Sequence, residues 1–214
     1  RCQVSEFFIT EDEKNMESDV LSRYPVGHPV RVYLEENILT RRLINEMCGV
    51  DIDNELERFS SLFARLERIE KKYARKENQL FPYLEKYGWT SPSQNMWAFH
   101  DQIRGEIKAL KTSISNKDIT ELRRNAFTLF TSIDHIMQVE EGRLLPRAME
   151  LLSDEDWREM RDGDREIGWM LDFEPPAYPP YDESGYEHPS LAKAKKTLPF
   201  GLDDKTHYDE GYLT

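Results

Sequence analysis

Three apolar stripes in this sequence are each interrupted by an ionisable side chain that can bind a metal ion, namely Glu77, His100 and Glu140. The stripes are Leu62, Leu66, Ile69, Tyr73, Glu77, Leu80 and Leu84; then Met96, His100, Ile103, Ile107 and Leu110; then Ala126, Phe130, Ile133, Met137, Glu140 and Leu144. Steps of three or four residues predict that each stripe is one face of an α-helix. A carboxylate buried alone is costly or becomes protonated, so several of them in one core need a common partner. A bound metal ion would be one such partner, and a buried Lys72 or Arg104 would be another.

The elements that must carry these side chains are separated by proline, glycine and acidic capping residues. Pro29 suits the first turn of a helix, Gly49 suits its end, and Pro82 should kink the helix that contains it. We expect helices over residues 29–47, 51 or 53 to 87, 91–115 and 116–152, a shorter fifth helix over 153–171, and a helical leading segment near 6–23.

These elements predict an all-α protein, because no β-alternation of useful length occurs anywhere in the chain. Four long helices with short connections predict an antiparallel up-down four-helix bundle with an extra N-terminal helical segment, a short fifth helix and an irregular C-terminal tail. We expect the N-terminal extension at 1–24, the bundle at 25–171, and a Pro/Tyr-rich linker or strap at 172–214.

The composition fits one compact domain and argues against a nucleic-acid surface. The chain has 214 residues, of which 38% are hydrophobic and 11% aromatic, which suffices for a single core. Asp and Glu number 41 against 29 Lys and Arg, giving a formal net charge of -12. Because phosphate binding depends on Lys and Arg, this acidic balance predicts no nucleic-acid partner.

Cysteine content and hydropathy predict a cytoplasmic setting. Cys2 and Cys48 are the two cysteines, and their separation suggests neither a disulfide framework nor a zinc finger. No apolar run reaches the roughly 20 residues that span a bilayer, and the N-terminus lacks a signal-peptide pattern. The sequence begins at Arg1 rather than Met, which predicts a fragment of a longer protein.

Further candidates complete a possible ring of ligands. His28 begins the first helix, where it could instead cap the helix, and either Glu35 or Glu36 could reach the core from the next turns. His135 lies about 140° around the helix from Glu140, on the flank of that stripe.

A weak internal repeat leaves the identity of the acidic ligand in the fourth helix open. The segment from Glu77 to Pro82 resembles the segment from Glu141 to Pro146, so the repeat favours Glu141. Helical phase favours Glu140, because Glu140 continues the apolar face of Met137. We prefer Glu140 and keep Glu141 as the alternative.

Several separated motifs resemble the hemerythrin-like, or HHE cation-binding, family. They are Gly27-His28-Pro29, Glu36-Asn37, the run from Tyr73 to Pro82, the run from Met96 to Asp101, and His135 with Glu140-Glu141 and Pro146. The resemblance covers residues 25–171 and is closest to the bacterial and archaeal branch in which the helical domain precedes a PAS sensory domain. The final residues 211–214 also resemble the segment before that PAS domain.

The resemblance implies a four-helix bundle that holds a non-haem di-iron centre and binds O₂, NO or another small ligand. The ligands it implies, together with the first-helix candidate, are His28, Glu36, Glu77, His100, His135 and Glu140. One position departs from the pattern: where the family places a histidine five residues before Glu77, this chain has Lys72. A protonated lysine has no lone pair to donate, so the centre could be incomplete or absent, with Tyr73 as a conceivable substitute ligand.

Two classes of function follow from these patterns. The first is a metal-binding domain for oxygen, nitric oxide or redox sensing, with iron or another divalent metal as cofactor and a PAS domain or signalling protein as partner. The second is a metal-degenerate bundle for protein interaction, in which Lys72 neutralises the buried carboxylates. An enzyme acting on peroxide or repairing iron centres is a third interpretation.

Overall fold

The computed structural model describes residues 19–179; all regular secondary structure in this part of the chain is helical, and it contains no strand. The expectations for residues 1–18 and 180–214 concern parts of the chain outside the described residues. The main helices are α1 (Pro29–Cys48), α2 (Leu56–Leu66), α3 (Ile69–Arg75), α4 (Phe81–Lys86), α5 (Ser91–Asn116), α6 (Ile119–Val139), α7 (Leu145–Leu151) and α8 (Asp154–Ile167).

Local capping explains where these helices begin. The His28 side chain accepts a hydrogen bond from the Val30 N–H, so His28 caps α1, and Pro29 follows at the first position. Asp118 caps α6 through the Glu121 N–H, and Ser153 and Asp156 form a capping box at the start of α8. These signals were readable in the sequence, so the starts of these helices agree with the prediction.

The second helical stretch differs from its predicted bounds. Residues 51–55 form a turn instead of a first helical turn, since the Asp51 carbonyl accepts from Asn54 N–H and Glu55 N–H, and the Asp51 carboxylate accepts from the Asn54 amide at 2.7 Å. The side chain expected to cap the helix therefore stabilises a turn. The stretch is interrupted again between Leu66 and Ile69, and α8 ends at Ile167 instead of Leu171.

Two π-helical turns precede the prolines inside the long helical stretches, and one of these prolines, Pro82, was expected to kink its helix. They span Lys76–Leu80, before Pro82, and Glu140–Leu144, before Pro146. In each turn the next N–H bonds to the carbonyl five residues earlier. The wider turn gives room for a proline ring that would clash inside a regular α-helix. The internal repeat of the sequence is therefore a repeated π turn, in which Lys76 and Glu140 hold equivalent positions.

The helices pack around one apolar core. Helices α5 and α6 run antiparallel, because Ser113 meets Asn125 while Glu106 meets Ser132. The core includes Tyr33, Phe59, Leu66, Phe81, Leu110, Leu129, Ile133, Leu145, Trp157 and Met160. Across residues 19–179, no helix combines the length and the hydropathy that a membrane span requires.

Residues 168–179, which we call the strap, leave α8 and lie back over the bundle. Trp169 and Leu171 are buried against Val32 of α1, and Met170 joins the main core. The strap therefore covers α1 at the level of Val32 and the turns that follow it.

Candidate functional site

Two lysines hold the carboxylate of Glu140 inside the bundle. Lys72 Nζ lies 2.6 Å from Glu140 Oε2, and Lys76 Nζ donates to Glu140 Oε1. All three side chains are buried, at 0–1% exposure. Lys72 also donates to Asn37 Oδ1, and Lys76 Nζ lies 4.6 Å from the centre of the Tyr73 ring. The interior charge that the sequence predicted at Glu140 therefore has two cationic partners.

The electrostatics of this cluster follow from burial and charge. Burial alone would raise the pKa of Glu140, but the charges and hydrogen bonds of Lys72 and Lys76 lower that pKa to about 2. Burial lowers the pKa of Lys76 to about 7, although Glu140 opposes that change. Glu140 thus stays ionised near neutral pH, and its charge depends on the lysines.

A second buried ion pair lies beside the first. Arg75 donates to Glu36 Oε2, and Arg75 Nη1 lies 3.7 Å from Asp164 Oδ2 of α8. All three side chains have 0% exposure. We call Glu36, Lys72, Arg75, Lys76, Glu140 and Asp164 the ionic core; it contains three basic and three acidic side chains. It joins α1, α3, α8 and both π turns.

Asp164 gives the ionic core a measurable pH dependence. Burial raises the pKa of Asp164 to about 7, with Arg75 lowering it and Glu36 raising it. The folded protein therefore keeps a proton that the unfolded chain releases near pH 3.8, so stability falls as pH rises between these values. We expect the free energy of unfolding of Asp164→Asn, measured with urea, to increase relative to wild type from about pH 4 to about pH 7 and then level off.

The matched control for Asp164 lies on the same helix. Asp162 is exposed, so Asp162→Asn should give no such trend. A stability difference for Asp164→Asn that stays constant with pH would contradict the assignment of this burial cost to Asp164.

Glu77 and His100 form a separate pair between the first π turn and α5. His100 Nδ1 lies 2.7 Å from Glu77 Oε1, and Arg104 Nη2 donates to both oxygens of Glu77 at 2.9 Å. Burial and the charge of Lys76 lower the pKa of His100 to about 4, so the ring is neutral at pH 7. A neutral ring facing a carboxylate donates from Nδ1, which leaves the lone pair on Nε2. His100 Nε2 is buried without a hydrogen-bond partner in the described part of the chain.

The remaining predicted site residues, His28 and His135, lie in different environments. His28 is buried and caps α1 through Nδ1, with its ring among Tyr24, Trp157 and Tyr178. Burial lowers the pKa of His28 to about 3. His135 is exposed on the outer face of α6 and contacts the Phe99 ring, so it does not join the ionic core.

The alternative glutamates lie outside the interior. Glu35 is paired with Arg31 at 2.8 Å, and Glu141 accepts two hydrogen bonds from Arg41 and one from Asn37. Both side chains are partly exposed, at 26% and 31%. Glu36 and Glu140 are the buried members of the two pairs. Helical phase had favoured Glu140 over Glu141, whereas the sequence left Glu35 and Glu36 as alternatives.

Three members of the ionic core, Arg75, Lys76 and Asp164, were not predicted from the sequence to lie in the core. The charged run from Arg65 to Lys76 favours a solvated face when only the sequence is considered, whereas Lys72, Arg75 and Lys76 are fully buried. A signal existed for Lys76, which continues the stripe from Ile69 and Tyr73 in steps of three and four. Asp164 offered no such signal, because α8 has a mostly polar sequence.

A metal site needs several donor side chains that converge on one ion. Within residues 19–179, no group of three or more His, Cys, Asp or Glu side chains is placed to hold a metal ion. The carboxylates predicted to bind a metal, Glu36, Glu77 and Glu140, form ion pairs with Arg and Lys side chains. The rings of the two buried histidines, His28 and His100, have different aromatic neighbours.

Comparisons with known proteins identify the family of the chain. No curated protein matches it significantly. The model of the hemerythrin HHE cation binding domain matches residues 28–148, which are more than half of the 214 residues. The matched range contains α1 to α6, both π turns, and every member of the ionic core except Asp164. This chain therefore belongs to the hemerythrin HHE cation-binding domain family.

Proposed function

We propose that this domain is a metal-independent member of its family, in which the ionic core replaces the cation centre and the bundle serves as a protein-interaction or signalling module. The observation that carries the proposal is the contact of both lysine ammonium groups with Glu140. Family membership implies a bound cation, typically iron. Whether the residues of this chain fit such a centre therefore decides between a metal-binding sensor and a metal-independent interaction module.

The residues do not fit a di-iron centre. A bridging carboxylate must offer free oxygens to the metal ions, but both oxygens of Glu140 are in ion-pair contact with lysine ammonium groups. Glu36 is bonded to Arg75, and Glu77 to Arg104 and His100. The positive charges of Lys72 and Lys76 would also repel a cation placed between them.

In the ionic core, Lys and Arg side chains balance the buried carboxylate charges that a metal ion would otherwise balance. A buried carboxylate without a partner destabilises a fold, and a paired one holds its neighbours in a defined geometry. Here the pairs connect α1, α3, α8 and the two π turns. A bundle fixed in this way offers a rigid surface to a partner domain.

The partner in this proposal is a neighbouring PAS-type sensory domain or another signalling protein. The support is the resemblance of residues 25–171 and 211–214 to proteins in which the helical domain precedes a PAS domain. The coding sequence after Thr214 tests this pairing directly. An open reading frame that continues into a PAS domain is the expected result, and a stop codon near Thr214 would contradict it.

Metal content tests the metal-independent function. We expect protein purified from iron-supplemented cells to contain no stoichiometric iron, to lack the absorption bands of an oxo-bridged iron pair, and to unfold at the same temperature with and without a chelator. The physical reason is that Glu140 already has two cationic partners. Stoichiometric iron, together with a lower unfolding temperature in chelator, would support the sensing function with O₂ or NO as ligand.

A substitution at Lys72 separates a damaged metal site from a replaced one. Lys72→His restores the side chain that the family pattern has at this position. Because Lys76 would still hold Glu140, we expect iron occupancy in the variant to stay at the wild-type level. A stoichiometric increase would indicate that Lys72 alone prevents metal binding.

A further inference from the structure

The strap is fixed to the bundle by a polar contact that is itself buried. The Met170 N–H donates to Glu36 Oε1 at 2.8 Å, and Met170 is 1% exposed. The other oxygen of the same carboxylate, Oε2, accepts from Arg75. One carboxylate therefore joins the strap to the ionic core.

Two further contacts hold the strap on either side of that link. Arg161 Nη2 donates to the carbonyls of Pro175 and Pro176, at 2.5 and 3.1 Å, and the Arg161 guanidinium lies 4.7 Å from the centre of the Trp169 ring. Gly27 approaches the strap closely, because a Cβ at this position would collide with the carbonyls of Pro176 and Ala177. Gly27 also has a φ of 82°, which favours glycine.

The burial of Glu36 depends on the strap. Glu36 lies on α1, one turn after Val32, and Trp169 and Leu171 cover Val32 while Met170 bonds to Glu36. Thr40, the next turn of α1, donates to the Glu36 carbonyl and contacts Met170 Sδ at 3.3 Å. Lifting the strap would expose Glu36 to water and weaken its pair with Arg75.

We propose that Glu36 is a latch that couples the ionic core to the docking of the strap. The carboxylate bonds Arg75 with one oxygen and the strap backbone with the other, so a change in the core alters how tightly the strap is held. The strap ends at Pro179, the last described residue, so the latch sets how firmly the final described segment is held on the bundle. The latch deepens the proposed signalling function and rests on it, because it requires Arg75 rather than a metal ion as the partner of Glu36.

Hydrogen–deuterium exchange of the full chain tests the latch. In Glu36→Gln we expect amides of residues 168–179 to exchange about tenfold to a hundredfold faster, the factor associated with a hydrogen bond to a charged acceptor. Peptides from α5 and the first half of α6 should keep their wild-type protection. This readout is independent of metal content, so a failure of the latch and a failure of the metal-independent function give different results.

Glu140→Gln is the matched control, because Glu140 is an equally buried carboxylate of the ionic core. We expect this variant to accelerate exchange mainly in the helices that carry Lys72, Lys76 and Glu140, with a smaller change in the strap. The latch is overturned if Glu36→Gln leaves the strap as protected as wild type, or if Glu140→Gln releases the strap to the same extent.

Gly27→Ala perturbs the strap where Gly27 contacts the carbonyls of Pro176 and Ala177. This variant provides a second test of the latch if Glu36→Gln does not fold. The added methyl group should displace residues 176 and 177, accelerate exchange at Met170, and also accelerate exchange in α1 around Glu36. Faster exchange at the amides of Ala177 and Tyr178 without any change around Met170 and Glu36 would overturn the coupling. Gly105→Ala, where a Cβ meets no atom within 4 Å, is the control and should leave the strap unchanged.

Discussion

Glu140→Ala should lower the free energy of unfolding by about 3–5 kcal/mol, the range found when one partner of a buried ion pair is removed. The substitution would leave Lys72 and Lys76 as neighbouring buried ammonium groups without their carboxylate. Loss of Glu140 removes an influence that raises the pKa of Lys76, which burial already lowers to about 7, so deprotonation of Lys76 would recover part of this loss as the pH rises toward 7. Urea unfolding followed by far-ultraviolet circular dichroism measures both effects.

The neighbouring residue provides the control for Glu140. Glu141 is bonded to Arg41 and Asn37, and its side chain is 31% exposed. Glu141→Ala should cost no more than about 1 kcal/mol, as expected of a partly solvated ion pair. Equal losses for the two variants would contradict a structural role specific to Glu140.

Arg75→Met should have an effect of similar size, about 3–5 kcal/mol, because it leaves the carboxylates of Glu36 and Asp164 without their cation. The methionine side chain fills similar space, so the loss reports charge more than packing. Carboxylates that lose a cation in a buried site become harder to ionise. We therefore expect the deficit relative to wild type to be smaller near pH 4 than near pH 8, in urea unfolding at both values.

An exposed arginine on the adjacent helix controls for the loss of positive charge. Arg58 pairs with Glu55 at 3.2 Å, with side chains 59% and 43% exposed. Arg58→Met should change stability by less than about 0.5 kcal/mol at either pH. A deficit for Arg75→Met that does not depend on pH would argue that packing, rather than the ionic core, explains the loss.

The sequence was informative wherever local chemistry decides the structure. Helical periodicity placed His100 and Glu140 in the interior, and capping residues located the starts of α1, α6 and α8. Those signals act over one or two turns, so a single sequence contains them.

What the sequence did not reveal depends on contacts between distant segments. Lys76 and Glu140 are 64 residues apart, and the pair forms because both stand at the start of a π turn. A repeat of acidic residue and proline was visible, but periodicity at 3.6 residues per turn does not predict a π turn. Arg75 and Lys76 looked like members of a solvated face because arginine and lysine are rarely buried unless they are paired. Their partners, Glu36, Asp164 and Glu140, come from other helices.

The family pattern and the ionic core make opposite predictions at one group, the carboxylate of Glu140. X-ray diffraction at the iron absorption edge, from crystals grown with Fe(II), tests them in one measurement. We predict no anomalous peak within the bundle, and electron density that places the ammonium groups of Lys72 and Lys76 against the two oxygens of Glu140. An anomalous peak within bonding distance of Glu140 and His100 Nε2, with either lysine displaced, would contradict the metal-independent function.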